Sequence, residues 1–147
     1  MIRRASIKDL NALMALENES FSESERRDRA TIRYGITSPS IVSLVLTRYG
    51  KVQGVIELHS RSNSSKVYIA NLSVSVAGRE RGIASALLRR ALYFTKRAGK
   101  QVVSLHVSSL NTGARRLYQK LGFVIDQHLK DYYDEGVDAK KLSIQLY

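Results

Sequence analysis

Apolar residues along this chain recur at two periods, one near 3.6 and one of 2, and the switches between them lay out the elements. The clearest case is the run 67–96. Residues 67–76 are rich in β-branched side chains and alternate, which predicts a strand with Leu72, Val74 and Val76 on one face. A short basic turn comes next, Arg79-Glu80-Arg81-Gly82-Ile83-Ala84, where Gly82 and Ala84 permit a close backbone approach. Ile83, Ala84, Leu87, Leu88, Ala91 and Leu92 then form one apolar stripe, the mark of an amphipathic helix.

The same periods order the rest of the chain. Residues 2–4 read as a short strand, and Ser6 with Asp9 three residues on reads as a helix start. Leu10, Leu13, Met14, Glu17 and Phe21 give the stripe of that helix, and Ile32, Tyr34 and Ile36 mark a second one within 22–37. Ser38-Pro39-Ser40 ends it. A hairpin is next, 41–48 and 52–59 about Tyr49-Gly50-Lys51, with Glu57 and His59 on one face as a reserve base pair at surface positions. Gly99 closes the long helix and 101–107 is a buried strand. Asn111 opens a helix whose stripe is Ala114, Leu117, Tyr118 and Leu121, stopped by Gly122. A strand at 123–130, a turn at 131–136 and a last strand at 138–146 complete the chain. The order β-α-α-β-β-β-α-β-α-β-β predicts a mixed α/β fold in one domain over 1–147.

Composition narrows the chemistry. No cysteine is present, so disulfides, thiolate metal sites and cysteine nucleophiles are excluded, and a cytoplasmic protein is expected. Three histidines, His59, His106 and His128, argue against a histidine-rich metal site, so no metal is expected. Apolar runs fall short of the roughly 20 residues of a membrane span, and the first residues lack the apolar core of a signal peptide. The net charge of +11 favours anionic partners, but the cations are dispersed along helices and do not form one arm, which argues against direct nucleic-acid binding.

A strand running through a small-residue turn into a helix N-terminus presents unpartnered N–H groups and positive potential to an anion, and Arg79 and Arg81 add two cations. The spacing is neither G-x-G-x-x-G nor G-x-x-x-x-G-K-[ST]. An ordinary β-to-α turn with solvated arginines reads the same stretch equally well.

Together with segments nearer the C-terminus, the turn 79–84 resembles motif A of the GNAT superfamily of acetyl-CoA-dependent N-acyltransferases, Gln/Arg-x-x-Gly-x-Gly/Ala. The second half of the chain is similar too: Leu105-His106-Val107, then Asn111 before a helix, then LYQKLGF at 117–123 and YYDEGVDA at 132–139. This series resembles the branch of ribosomal-protein alanine N-acetyltransferases and protein N-terminal acetyltransferases. The resemblance implies a sheet of about seven strands, splayed between the fourth and fifth and flanked by about four helices. It implies acetyl-CoA as cofactor, with pyrophosphate on the N–H groups of Arg81, Gly82, Ile83 and Ala84 beside Arg79. Pantetheine would pair with the edge at Leu72, Val74 and Val76, and Asn111 would contact the cofactor arm.

For catalysis the resemblance assigns Tyr118 to the sulfur of the leaving group, with a core aromatic as the plain alternative. Tyr68 and His106 stand where an amine's proton would be taken; a hydrogen-bonded histidine at a strand edge reads His106 as well. Phe21, Tyr132 and Tyr133 match the acceptor side, and Tyr133 is an alternative acid. Relatives acting on lysine often carry a glutamate where Tyr68 stands. An α-amine of pKa near 7.8 is about 15% neutral at pH 7 and a lysine under about 0.1%, roughly 3.5 kcal/mol less deprotonation work for the base. The expected reaction is therefore direct attack, in a ternary complex, by the α-amine of a protein or peptide N-terminus, a ribosomal protein among them. The alternatives are a transferase for small amines or polyamines, with Glu19, Glu23, Glu25, Asp126 and Asp131 lining the pocket, and a non-catalytic CoA- or nucleic-acid-binding module. Two features depart from the pattern: Val76-Ala77-Gly78 lacks the proline and acidic residues common in relatives, and the arginine-rich region 21–34 matches only at Phe-Ser.

Overall fold

The computed structural model describes residues 1–133 and 136–146. Among these residues the elements are β1 (Ile2–Arg4), α1 (Leu10–Ser20), α2 (Arg29–Thr37), β2 (Ile41–Arg48), β3 (Lys51–Ser60), β4 (Lys66–Val74), α3 (Ile83–Arg97), β5 (Val102–Ser108), α4 (Thr112–Lys120), β6 (Val124–Tyr133) and β7 (Val137–Gln145). Seven strands form one mixed sheet in the order β1-β2-β3-β4-β5-β7-β6, with four α-helices in the described chain. Every neighbouring pair is antiparallel except β4 and β5, which run parallel.

Side-chain period divides the core between the two faces of the sheet. α3 lays Ile83, Leu87, Leu88 and Ala91 against Leu44, Leu46, Ile56 and Leu58 of the hairpin and Val67 and Ile69 of β4. On the other face, Leu10, Leu13 and Leu16 of α1 and Ile32 of α2 meet Val45 and Val55. α3 approaches β3 closely at Gly54, where a Cβ would stand 2.8 Å from Ile83 Cγ2 and 2.9 Å from Leu87 Cδ1. Glycine is the residue that lets these two elements meet at that distance.

β4 carries the irregularities that shape the molecule. Leu58 pairs with Ile69 and Glu57 with Asn71, so Ala70 is an extra residue, a bulge. The bulge shifts the alternation: Val67 and Ile69 face α3 before it, and Leu72 and Val74 pack on that same core after it. β4 pairs β5 at only three positions, Lys66 with Val102, Val67 with Val103 and Tyr68 with Ser104, and beyond Tyr68 the strands diverge.

Three boundaries differ from the sequence expectation. Phe21, expected on the stripe of the first helix, is the extended residue just after it, because α1 ends at Ser20. The strand expected over 67–76 ends at Val74, because Ser75 starts a single helical turn at Val76–Gly78 and its Oγ accepts a hydrogen bond from the Gly78 N–H at 3.1 Å. Val76 is therefore 58% exposed in that turn and lies on no strand face. β6 runs past the expected end at 130 to Tyr133, which pairs with Val137 beyond a break in register. The expected turn at 131–136 is thus strand at its start; residues 134 and 135, with part of the YYDEGVDA stretch, lie outside the described residues. No helix among the described residues is long and apolar enough to cross a membrane.

Substituting Gly54→Ala should lower stability by about 1–3 kcal/mol, since the added carbon overpacks two buried side chains. A urea midpoint below that of the wild type, with an unchanged slope, checks it.

Candidate functional site

Where β4 and β5 part, the sheet opens into a cleft of about 960 Å³. β4 contributes Tyr68, Asn71 and Leu72, β5 contributes His106, and α4 contributes Tyr118 with Asn111 at its start. The end of β6 brings Tyr132 and Tyr133, and the segment after α1 brings Phe21, Ser22, Ser24 and Glu25. Eight of the expected catalytic and binding residues thus meet in one space although up to 112 positions separate them along the chain (Phe21 to Tyr133). Val74, Val76 and the turn 79–84 are not among the lining residues.

Within the cleft the Tyr68 hydroxyl lies 2.7 Å from His106 Nδ1. Tyr132 stacks on the His106 ring at 4.8 Å between centroids and 11° between planes, and Tyr133 meets Tyr132 edge-on at 5.0 Å. Burial, then the neighbouring Tyr132 and Tyr133, pushes the Tyr68 phenol up to about 12. Burial, then the positive charge of Lys141, holds His106 below its ordinary value. Both groups are accordingly neutral at pH 7, and with the imidazole proton on Nε2 the Tyr68 hydroxyl donates to Nδ1.

Tyr118 is 8% exposed and packs edge-on against Phe123 at 5.7 Å. Burial, with a smaller effect of Tyr133, raises its phenol to about 12. α4, which carries it, is capped by Asn111, whose Oδ1 accepts a hydrogen bond from the Ala114 N–H at 3.1 Å. That cap occupies the oxygen and leaves the Nδ2 donors of Asn111 for a ligand.

The basic turn ends at Gly82, the N-cap of α3, in the left-handed conformation with φ +75°. A Cβ there would meet nothing within 4 Å, so the glycine serves the turn's backbone and leaves open space in front of the helix. Arg79 and Arg81 are exposed beside it, whereas the Ile83 side chain is buried in the core and only its backbone faces the helix entrance. Among the described residues no cluster of three or more His, Cys, Asp or Glu could hold a metal ion.

The expectation of a surface position holds for His59, whose side chain is 42% exposed, and is corrected for Glu57. Glu57 is 7% exposed, because α2 closes over it: a Cβ on Gly35 would lie 3.2 Å from its Oε1. Its carboxylate accepts hydrogen bonds from Arg27 Nη1 and from His59 Nε2, each at 2.7 Å. Arg27 also binds Glu17, which is 4% exposed. The sequence carried a signal for this network. Glu17 sits on the apolar stripe of α1 and Glu57 lies among Val55, Ile56 and Leu58; two carboxylates on buried faces require a shared cation, and the arginine-rich stretch supplies it.

Comparison with known proteins agrees with this architecture. Residues 10–123 match the model of the acetyltransferase (GNAT) family. N-alpha-acetyltransferase MAK3 of Arabidopsis thaliana is 32% identical over 137 residues, 92% of this chain and 71% of that protein. N-alpha-acetyltransferase 30 of Xenopus laevis is 39% identical over 79 residues, 54% of this chain, and the match spans only 29% of the frog protein. The crystal structure of the ribosomal-protein-S18-alanine N-acetyltransferase from Escherichia coli superposes with a TM-score of 0.89 over 99% of this chain and 92% of that one; at 21% identity it speaks for the fold. The family match spans more than half of the chain, across the splayed strands and the helix that carries Tyr118, and the chain belongs to the GNAT family of acetyltransferases.

Proposed function

We propose that the protein transfers the acetyl group of acetyl-CoA to the α-amino group of a protein or peptide N-terminus. The observation that carries this reading is the hydrogen-bonded Tyr68–His106 pair in one cleft with the buried phenol of Tyr118. The plant relative, which aligns with most of this chain, is named for the same kind of transfer.

The residues present suit the cofactor. Beyond Tyr68 one edge of β4 has no strand partner among the described residues, and its main-chain groups would pair with an amide-bearing arm. Along that edge Leu72 lines the cleft, while Val76, off the strand, is withdrawn. The first N–H groups of α3, the open space at Gly82 and the cations of Arg79 and Arg81 would hold a pyrophosphate. Asn111 would donate to the arm. Acetyl-CoA, when bound, supplies a thioester already activated for acyl transfer.

The chain's own groups then divide the proton work. As the amine nitrogen forms the new C–N bond and the C–S bond breaks, the amine's proton must leave. Tyr68 would accept it on oxygen, through water or directly, while passing its own proton to His106 Nδ1. The terminal base is then an imidazole, and no phenolate of pKa about 12 has to form. A base held below its ordinary basicity suits an α-amine, which is partly neutral already, better than lysine. Tyr118 would hydrogen-bond the departing thiolate. Its phenol lies near 12 and a thiol near 8.5, so outright transfer would climb about 3.5 units, or ~5 kcal/mol, and donation without transfer is the role that fits. Phe21, Tyr132 and Tyr133 would form the acceptor side. Of five acidic residues that a polyamine site would draw on, Glu19, Glu23, Glu25, Asp126 and Asp131, only Glu25 lines the cleft, which disfavours that alternative.

Turnover of acetyl-CoA against a panel of free-N-terminus peptides, ribosomal-protein N-termini included, should exceed that against N-blocked lysine peptides and polyamines. Equal or higher rates on the lysine or polyamine arms would refute the α-amine assignment. Tyr118→Phe should lower kcat by roughly a hundredfold while calorimetric CoA affinity stays the same; unchanged turnover would remove Tyr118 from the mechanism. In the wild type kcat/KM should rise as the acceptor amine loses its proton and show no fall up to about pH 10, because both buried phenols keep their protons there. Lys141→Met removes a cation that disfavours the imidazolium, so His106 should titrate at higher pH than in the wild type, read from its ring resonances by NMR.

A further inference from the structure

The segment between α1 and α2 forms one wall of the cleft, yet little core holds it. Residues 22–26 are exposed, and only Phe21 and Arg27 at their flanks are half-buried. Arg26 holds it locally, donating to Phe21 O at 3.0 Å and Asn18 O at 3.2 Å, and the tie to the sheet is made by charge through Arg27. The Arg27 backbone N–H donates to Glu17 Oε2 at 2.9 Å, its Nη2 to Glu17 Oε1 at 3.0 Å, and its Nη1 to Glu57 Oε2 at 2.7 Å. One guanidinium therefore ties the segment to the last turns of α1 and to the middle of β3 together. Glu57 is itself held from the far side by His59 and covered by α2, and Glu17 is almost wholly buried. Neither carboxylate can swing to follow a loose loop.

Three features set this tie apart from an ordinary surface ion pair. Both acceptors are buried, so solvent screens the attraction little. The fork of the guanidinium is used on two different elements, which a lysine's point charge cannot reproduce. The tied segment ends at the cleft, with Phe21 and Glu25 among the lining residues.

We propose that Arg27 is a positioning residue for the acceptor: by clamping the segment 21–27 onto β3, it holds Phe21 and Glu25 where the incoming amine and its chain bind. The proposal rests on the acceptor-amine reading above. Arg27 is not a lining residue of the cleft, and its effect passes through the wall it holds. It leaves the β4 edge and the α3 entrance untouched, so acceptor binding and cofactor binding should respond differently to its loss.

The test compares Arg27→Gln and Arg27→Lys with the triple variant Glu17→Gln, Arg27→Gln, Glu57→Gln. The triple variant keeps amide hydrogen bonding but leaves no buried charge unpaired, and so stays informative where Arg27→Gln alone unfolds. In the folded variants, KM for the best peptide should rise roughly ten- to hundredfold, with kcat and the KM for acetyl-CoA nearly unchanged and Arg27→Lys in between. Amide exchange should speed up across 21–27 and remain slow across α3. A peptide KM equal to the wild type's, or a parallel rise in both KM values, would overturn the clamp. The underlying reading fails separately, when the wild type turns over no peptide at all. Exchange then decides the clamp alone, and unaltered exchange at 21–27 overturns it.

Discussion

The parallel pairing of β4 with β5 stops after three residue pairs, and the rest of the site depends on that stop. A continuous ladder would satisfy the main-chain groups of both strands and leave a closed sheet. Ending it at Tyr68 frees one edge of β4 and opens a wedge floored by main chain and walled by β5 and α4. The aromatic groups then stand around the wedge because their elements converge on it: Tyr118 from a helix capped by Asn111, His106 from β5, Tyr132 and Tyr133 from the end of β6. In the proposed reaction, backbone would supply the binding edge and side chains the proton chemistry.

Neutrality is the second condition of the site. Tyr68, His106 and Tyr118 are each shifted toward their uncharged forms, chiefly by burial. Charge is held elsewhere, in the Glu17–Arg27–Glu57 network beside the cleft and in the cations at the entrance of α3. A molecule with a net charge of +11 thus holds a cleft lined by a single acidic residue among the described residues, Glu25.

Much of this was legible in the residues themselves. The stripe of α3 and the hairpin of β2 and β3 follow from period alone, and the order of elements matches throughout. The gathering of Tyr68, His106, Asn111 and Tyr118 came from motif spacing matched to a family pattern, since no local rule brings residues so far apart into contact. Three features stayed hidden for physical reasons. Val76 looked like strand because its β-branched type suits a strand, but the Ser75 cap, a local hydrogen bond, outweighed that preference. β6 outran its expected end because pairing with β7 resumes after a break in register. Glu57 looked exposed because a carboxylate usually is; only the tertiary arrival of Arg27 made its burial tolerable.

The bulge at Ala70 carries a further consequence. It lets one strand serve a single core on both sides of a change of phase: Val67 and Ile69 keep time with the core under α3, and Leu72 and Val74 rejoin that beat after a skipped count. Asn71 and Ser73 are thereby delivered to the face where Glu57 and Arg27 lie. The extra residue works as a phase shifter, and its loss would exchange the two faces of everything downstream. A strand of this kind tolerates substitution at Ala70 far more readily than a change in length, so its residue count is a stricter constraint than its composition.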